Sequence, residues 1–84
     1  MKKIIAFKST TCGPCKMITP ILKELSDEGF NIREVFIDDE LGKNEAAMYG
    51  VRAVPTVFIL NEDDDILNTL VGYRPKKDIL TYLQ

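Results

Sequence analysis

Apolar positions along the chain fall into short runs whose spacing alternates between that of strands and that of helices. Ile4-Ile5-Ala6-Phe7, within Lys3 to Lys8, is a continuous apolar run of strand length and predicts a short buried strand. From Cys12 to about Glu28, Met17, Ile18, Ile21, Leu22 and Leu25 recur at three- and four-residue intervals, which predicts an amphipathic helix. Pro14 falls in its first turn, where a missing N–H costs little. Pro20 falls in its interior, where it removes a hydrogen bond to the Lys16 carbonyl and is expected to kink the axis. Gly29 supplies a left-handed stop.

Ile32 to Ile37 reads as a second strand, ending in the polar Asp38-Asp39-Glu40. Lys43 to Tyr49 reads as a short helix closed by Gly50, and Thr56-Val57-Phe58-Ile59-Leu60 as a strand covered on both faces. An acidic turn from Asn61 to Asp65 leads into Ile66 to Val71, so these two strands should form an antiparallel hairpin. A last helix starts near Pro75 and is expected to bury Ile79, Leu80 and Leu83. The order βαβαββα predicts an α/β fold with a central mixed four-stranded sheet flanked by helices. Its first two strands should be parallel neighbours joined by a right-handed crossover. Neither an internal repeat nor a linker interrupts it, so residues 1–84 are expected to form a single domain.

Composition narrows the picture. A chain that is 45% hydrophobic and 29% charged, with no long low-complexity run, is expected to pack rather than remain disordered. Net charge is −2 and the basic residues are scattered from Lys2 to Lys77, so nucleic-acid binding has little electrostatic support. The apolar run after Lys2-Lys3 is too short for a signal peptide, and no membrane span is present, which predicts a cytoplasmic protein. Glu62-Asp63-Asp64-Asp65 lacks the glycine and the frame of a calcium loop and reads as a solvated turn.

The two cysteines, Cys12 and Cys15, stand two residues apart in Thr10-Thr11-Cys12-Gly13-Pro14-Cys15-Lys16, at the predicted junction of strand and helix. Unpaired N–H groups and the positive end of the helix dipole favour an anion there, and the thiolate is the form of cysteine that attacks disulfides. As a structural staple so short a loop would remove little chain entropy. As a zinc site it lacks histidine and further cysteines, although zinc shared in a dimer, or an incidental pair, stays open at this point. A Cys-x-x-Cys beside a βαβ pattern favours reversible disulfide exchange.

Cys12-Gly13-Pro14-Cys15-Lys16-Met17-Ile18 with Pro20, then Tyr49-Gly50-Val51-Arg52-Ala53-Val54-Pro55-Thr56, then Val71-Gly72, together resemble the thioredoxin family over nearly the whole chain. The chain lacks the family's opening strand and helix. In size it is closer to a glutaredoxin and looks like a minimal thioredoxin of the phage or archaeal sort. The resemblance implies a thiol:disulfide oxidoreductase with no cofactor beyond its redox-active cysteines and no metal. Cys12 would attack a client disulfide, and Cys15 would resolve the mixed disulfide. It further implies a cis bond before Pro55 that leaves the Val54 N–H and C=O free for an extended client. Client contacts carried over are Thr11, Gly13, Pro14, Ala53, Val54, Pro55, Gly72 and Tyr73. The partners implied are client proteins such as ribonucleotide reductase, with thioredoxin reductase as electron donor, and a monomer is expected.

Three positions depart from the family pattern. Thr11 replaces a tryptophan, Ala6 replaces a buried acid that helps deprotonate the second cysteine, and Glu34 replaces the lysine paired with that acid. Deprotonation of Cys15 is therefore expected to rely on water or on the geometry of the mixed disulfide. Lys16 and Lys8 are candidates to add positive potential at the site or to be simply solvated. The alternative within this chemistry is a glutaredoxin-like protein recharged by glutathione. Val71-Gly72-Tyr73-Arg74 lacks the second glycine and the acid that would hold the tripeptide, while Lys8 and Arg74 could meet its carboxylates. A thioredoxin fold used as a non-catalytic adaptor is disfavoured by retention of both cysteines.

Overall fold

The computed structural model describes residues 2–84. The chain forms β1 (Lys3–Lys8), α1 (Gly13–Asp27), β2 (Asn31–Phe36), α2 (Glu40–Met48), β3 (Thr56–Leu60), β4 (Ile66–Val71) and α3 (Lys76–Leu83). The four strands make one sheet in the order β2-β1-β3-β4. β1 and β2 run parallel, with Ala6 opposite Glu34 and Lys8 opposite Phe36. β3 runs antiparallel to both β1 and β4. The predicted α/β architecture is the one observed.

Alternation along the central strands sends successive side chains to opposite faces and so divides the core in two. On one face Ile4, Ala6, Val57 and Ile59 meet Ile18, Leu22 and Leu25 of α1 and Ile79 and Leu83 of α3. On the other, Ile5, Phe7, Phe58 and Leu60 meet Ala46 of α2, with Tyr49 and Val51 packed against them. Phe7, Tyr49 and Phe58 form an aromatic triple with centroids 5.2 to 5.6 Å apart. Both faces of β3 are thereby covered, which accounts for its unbroken apolar sequence.

Helix ends follow local chemistry. α1 continues through Pro20 and stops at Gly29, whose φ of +100° lets Phe30 N–H reach back to the Leu25 carbonyl at 3.1 Å. α3 is tied to the far end of α1 by Lys76, which pairs with Glu28 and lies 3.7 Å from Glu24. α2 begins three residues before the expected Lys43, because Asp39 caps it by accepting the Gly42 N–H at 2.7 Å. Glu45 then pairs with Arg33 through two contacts, binding α2 to β2; its hydrogen bonds hold the Glu45 carboxyl below the usual range and raise the Arg33 guanidinium. β2 runs one residue earlier than predicted, and as an edge strand it buries only Val35. Met17, expected on the core face of α1, is 57% exposed, and Leu80 is only partly buried.

The acidic turn is organised by Asn61, whose Oδ1 accepts the N–H groups of Asp63 at 2.9 Å and Asp65 at 3.0 Å. Asp64 takes a left-handed φ of 66° and bridges to Lys3 at 2.7 Å. Among the described residues, no helix is long and apolar enough to cross a membrane.

Gly42 lies buried where the first turn of α2 crosses the end of β2, and a Cβ there would lie well inside contact distance of the Phe36 carbonyl. Replacing Gly42 by Ala is expected to destabilise the fold by about 3 kcal/mol, since backbone cannot yield as a side chain can. Urea denaturation checks this: a midpoint equal to the parent's would show that α2 moves freely on β2.

Candidate active site

The site is built where β1 gives way to α1. Ser9, Thr10 and Thr11 make the turn, and Cys12 N–H reaches back toward the Ser9 carbonyl at 3.4 Å. Asp38, just beyond β2, clamps this turn from outside. Its carboxylate accepts the Thr10 N–H at 2.7 Å and the Ser9 hydroxyl at 2.9 Å. These bonds, the Thr10 amide foremost, hold the Asp38 carboxyl below the usual carboxylate range. The sequence marks Asp38 only as helix-entry and strand-exit polarity; its partners stand in the turn that follows β1.

Cys12 occupies the N-cap position of α1 in an extended conformation, with φ −96° and ψ 119°. Its Sγ accepts the Cys15 N–H at 3.1 Å, and its carbonyl accepts the Lys16 N–H at 3.3 Å. The sulfur therefore takes the capping role usually given to a serine or aspartate oxygen. Pro14 sits in the first turn, where no N–H is missed. Cys12 and Cys15 are joined in a disulfide with Cα atoms 5.2 Å apart. Cys12 is half-buried whereas Cys15 is 1% exposed, so the two sulfurs differ in how a visitor can reach them.

Across from the pair, the Val54–Pro55 bond is cis, as the resemblance implied. The Val54 carbonyl lies 3.6 Å from Cys12 Sγ. No partner of the Val54 N–H is found among the described residues. Gly72, at φ +87°, donates its N–H to the Pro55 carbonyl at 2.8 Å and so joins the same rim. Thr11, Gly13, Pro14 and Ala53 are exposed around Cys12, and Pro55 is buried beneath it. Tyr73, next to Gly72, is 39% exposed and stands outside both core clusters. A groove of about 360 Å³ that the sequence did not reveal runs beside Val54, lined by Ile37, Ala46 and Val51 together with Lys43 and Arg52.

The two candidate lysines separate. Lys16 is exposed, but Lys8 is 4% exposed, and its ammonium meets Thr19 Oγ1 and Glu34 Oε1 at 2.6 Å each. Lys8 is thus neither a solvated cation nor available to a glutathione carboxylate. Ala6 is fully buried. Among the described residues, no group of three or more His, Cys, Asp or Glu could hold a metal ion.

Two sulfurs so placed, one reachable and one sealed behind it, can cycle between dithiol and disulfide in exchange with a disulfide brought to them. Comparisons with known proteins agree. The thioredoxin family model matches residues 1–84. Thioredoxin of Bacillus subtilis is 42% identical over 72 residues, covering 84% of this chain and 68% of that protein. Thioredoxin of Listeria monocytogenes is 35% identical over 74 residues, covering 87% and 71%. Thioredoxin of Staphylococcus epidermidis is 33% identical over 82 residues, covering 96% and 78%. The chain belongs to the thioredoxin family. It is a thiol:disulfide oxidoreductase, and the glutaredoxin-like alternative is not favoured.

Because the Asp38 carboxyl is held low, its clamp is complete above the ordinary aspartate range near pH ~3.9 and is lost as pH falls through the lower folded value. Hydrogen exchange at the Thr10 amide should therefore be protected at neutral pH and lose protection in Asp38→Ala. Equal protection in both proteins would refute the clamp.

Proposed function

We propose that Cys12 is the attacking cysteine and Cys15 the resolving one in reduction of client protein disulfides. The observation that carries this is the difference in access between the two sulfurs, with a helix N-terminus behind the reachable one. In the reduced protein the Cys15 N–H that caps Cys12 faces a thiolate, and a hydrogen bond to an anion is stronger than one to a neutral sulfur. The Cys12 thiolate attacks one sulfur of the client disulfide. The other client sulfur leaves and takes a proton, and a Cys12–client mixed disulfide remains. Cys15, as thiolate, then attacks Cys12. The second client sulfur leaves and takes up the proton that Cys15 gave up, and the Cys12–Cys15 disulfide closes. Two electrons have passed to the client and the protons balance.

The client lies as an extended segment against Val54, whose N–H and C=O offer one strand-like pairing. Thr11, Gly13, Pro14, Ala53, Pro55, Gly72 and Tyr73 form the rest of its contact surface. The small side chain at Thr11 leaves that surface flatter than a tryptophan would. Membership of the thioredoxin family supports disulfide-bearing client proteins and recharging by thioredoxin reductase; ribonucleotide reductase is the client we propose among them. We assign the protein no cofactor, a cytoplasmic location, a single domain over residues 1–84 and a monomeric state, with no nucleic-acid or membrane partner.

Insulin reduction tests the roles. Cys12→Ser is expected to abolish turnover, and Cys15→Ser to accumulate a mixed disulfide that resists resolution. If Cys15→Ser turned over at the parent's rate, the assigned order of attack would be wrong. Reduction coupled to thioredoxin reductase and its nicotinamide donor should proceed, while coupling to glutathione should not.

A further inference from the structure

The resolving step needs Cys15 as an anion, yet Cys15 is 1% exposed and the neighbouring strand position that faces α1 is Ala6, which carries no acid. The structure places a different charge nearby. Lys8 follows Ile4 and Ala6 on the face of β1 covered by α1. Its ammonium contacts Thr19, and Thr19 Oγ1 donates to the Cys15 carbonyl at 3.0 Å. Thr19 stands four residues after Cys15, on the same side of the helix. Glu34 of β2 holds the ammonium at 2.6 Å, and the Phe36 ring faces it with its centroid at 5.1 Å.

We propose that Lys8 is a positioning residue for the second exchange step. Its ammonium, fixed under α1 by Thr19 and Glu34, favours the anionic form of Cys15 and does from the opposite sign what a buried acid would do by taking the proton. A buried cation would be expelled unless paired, and Glu34 supplies the pairing at 39% side-chain exposure. Glu34 therefore keeps the ammonium in place while solvent screens part of its own charge. The other charged groups around this spot are Lys23 and Asp27, which line the same groove as Thr19 and Glu34, and Lys16 on the solvent side of α1. Asp38 is engaged at Ser9 and Thr10, and β3 carries no charge. The inference rests on the exchange order proposed above, and its test is arranged so that the two can fail separately.

In that test, the reduced protein reacts with one equivalent of an aromatic disulfide whose thiolate is coloured. The first release of colour reports attack by Cys12. The second reports Cys15 displacing the aromatic thiolate from Cys12, and its pH profile reads ionisation of the Cys15 thiol. Lys8→Met should move the second profile up by about 0.5 to 1 unit, below the roughly 1–3 units of a charge in direct contact, because one helical turn intervenes. Because nucleophilicity recovers about half of what ionisation loses, the second release at pH 7 should slow about two- to threefold. Glu34→Gln leaves the ammonium uncompensated and should move the profile down. Opposite shifts support the assignment; superposed profiles, or shifts in one direction, overturn it. If Lys8→Met fails to fold, Glu34→Gln alone decides, a downward shift supporting and any other result overturning. Loss of the first release in the parent protein would instead sink the exchange order itself.

Discussion

A sulfur stands in this protein where a helix ordinarily wants an oxygen. The first N–H groups of α1 have no carbonyl to meet, and one of them, from Cys15, meets the sulfur of Cys12 at 3.1 Å. That contact fixes the cysteine in an extended conformation, keeps it at the surface and turns its partner inward. Everything around it serves the junction. β1 ends between two paired strands, Asp38 ties down the three-residue turn, and the Val54 carbonyl lies 3.6 Å from the sulfur.

Electrostatics at the site is divided between two layers. Nearer the surface the helix end and its dipole act on Cys12, the more accessible of the two sulfurs. Beneath, an ammonium that is itself almost sealed from water stands one hydrogen-bonded link from the backbone of Cys15. Each sulfur thus has its own source of positive potential, one made of backbone and one of a side chain. The carboxylate that secures the second source lies partly in water, so its opposing field is weakened there more than the field of the buried cation.

What the amino-acid order reveals depends on how local the cause is. Strand β3 and helix α1 are evident because their apolar spacing records the burial directly, and Gly29 and Gly50 end helices where a left-handed residue is needed. The cysteine pair announces itself by spacing. The start of α2 was missed because a capping aspartate and a buried glycine look like loop residues until β2 is seen passing beneath them. Met17 fits a helical period yet faces solvent, since nothing in the sequence says how wide a stripe α1 can cover. For the same reason the sequence marks Asp38 only as polarity between strand and helix, and leaves Lys8 between a cation acting on the site and a solvated one. Each gains its role from a residue more than ten positions away, through pairings that only the assembled sheet supplies.

The irregularity between Ile59 and Leu60, where Leu67 is the extra residue opposite them, bends β4 at the end of the sheet remote from the cysteines. A bent border is a poor template for a foreign strand, even one carrying the exposed side chains of Ile66 and Leu67. A thiol:disulfide oxidoreductase must meet disulfides and let them go, and a border that discourages lasting attachment suits that chemistry. The kink in the far border leaves the open backbone at Val54, beside the sulfurs, as the edge better suited to the passing strand proposed there.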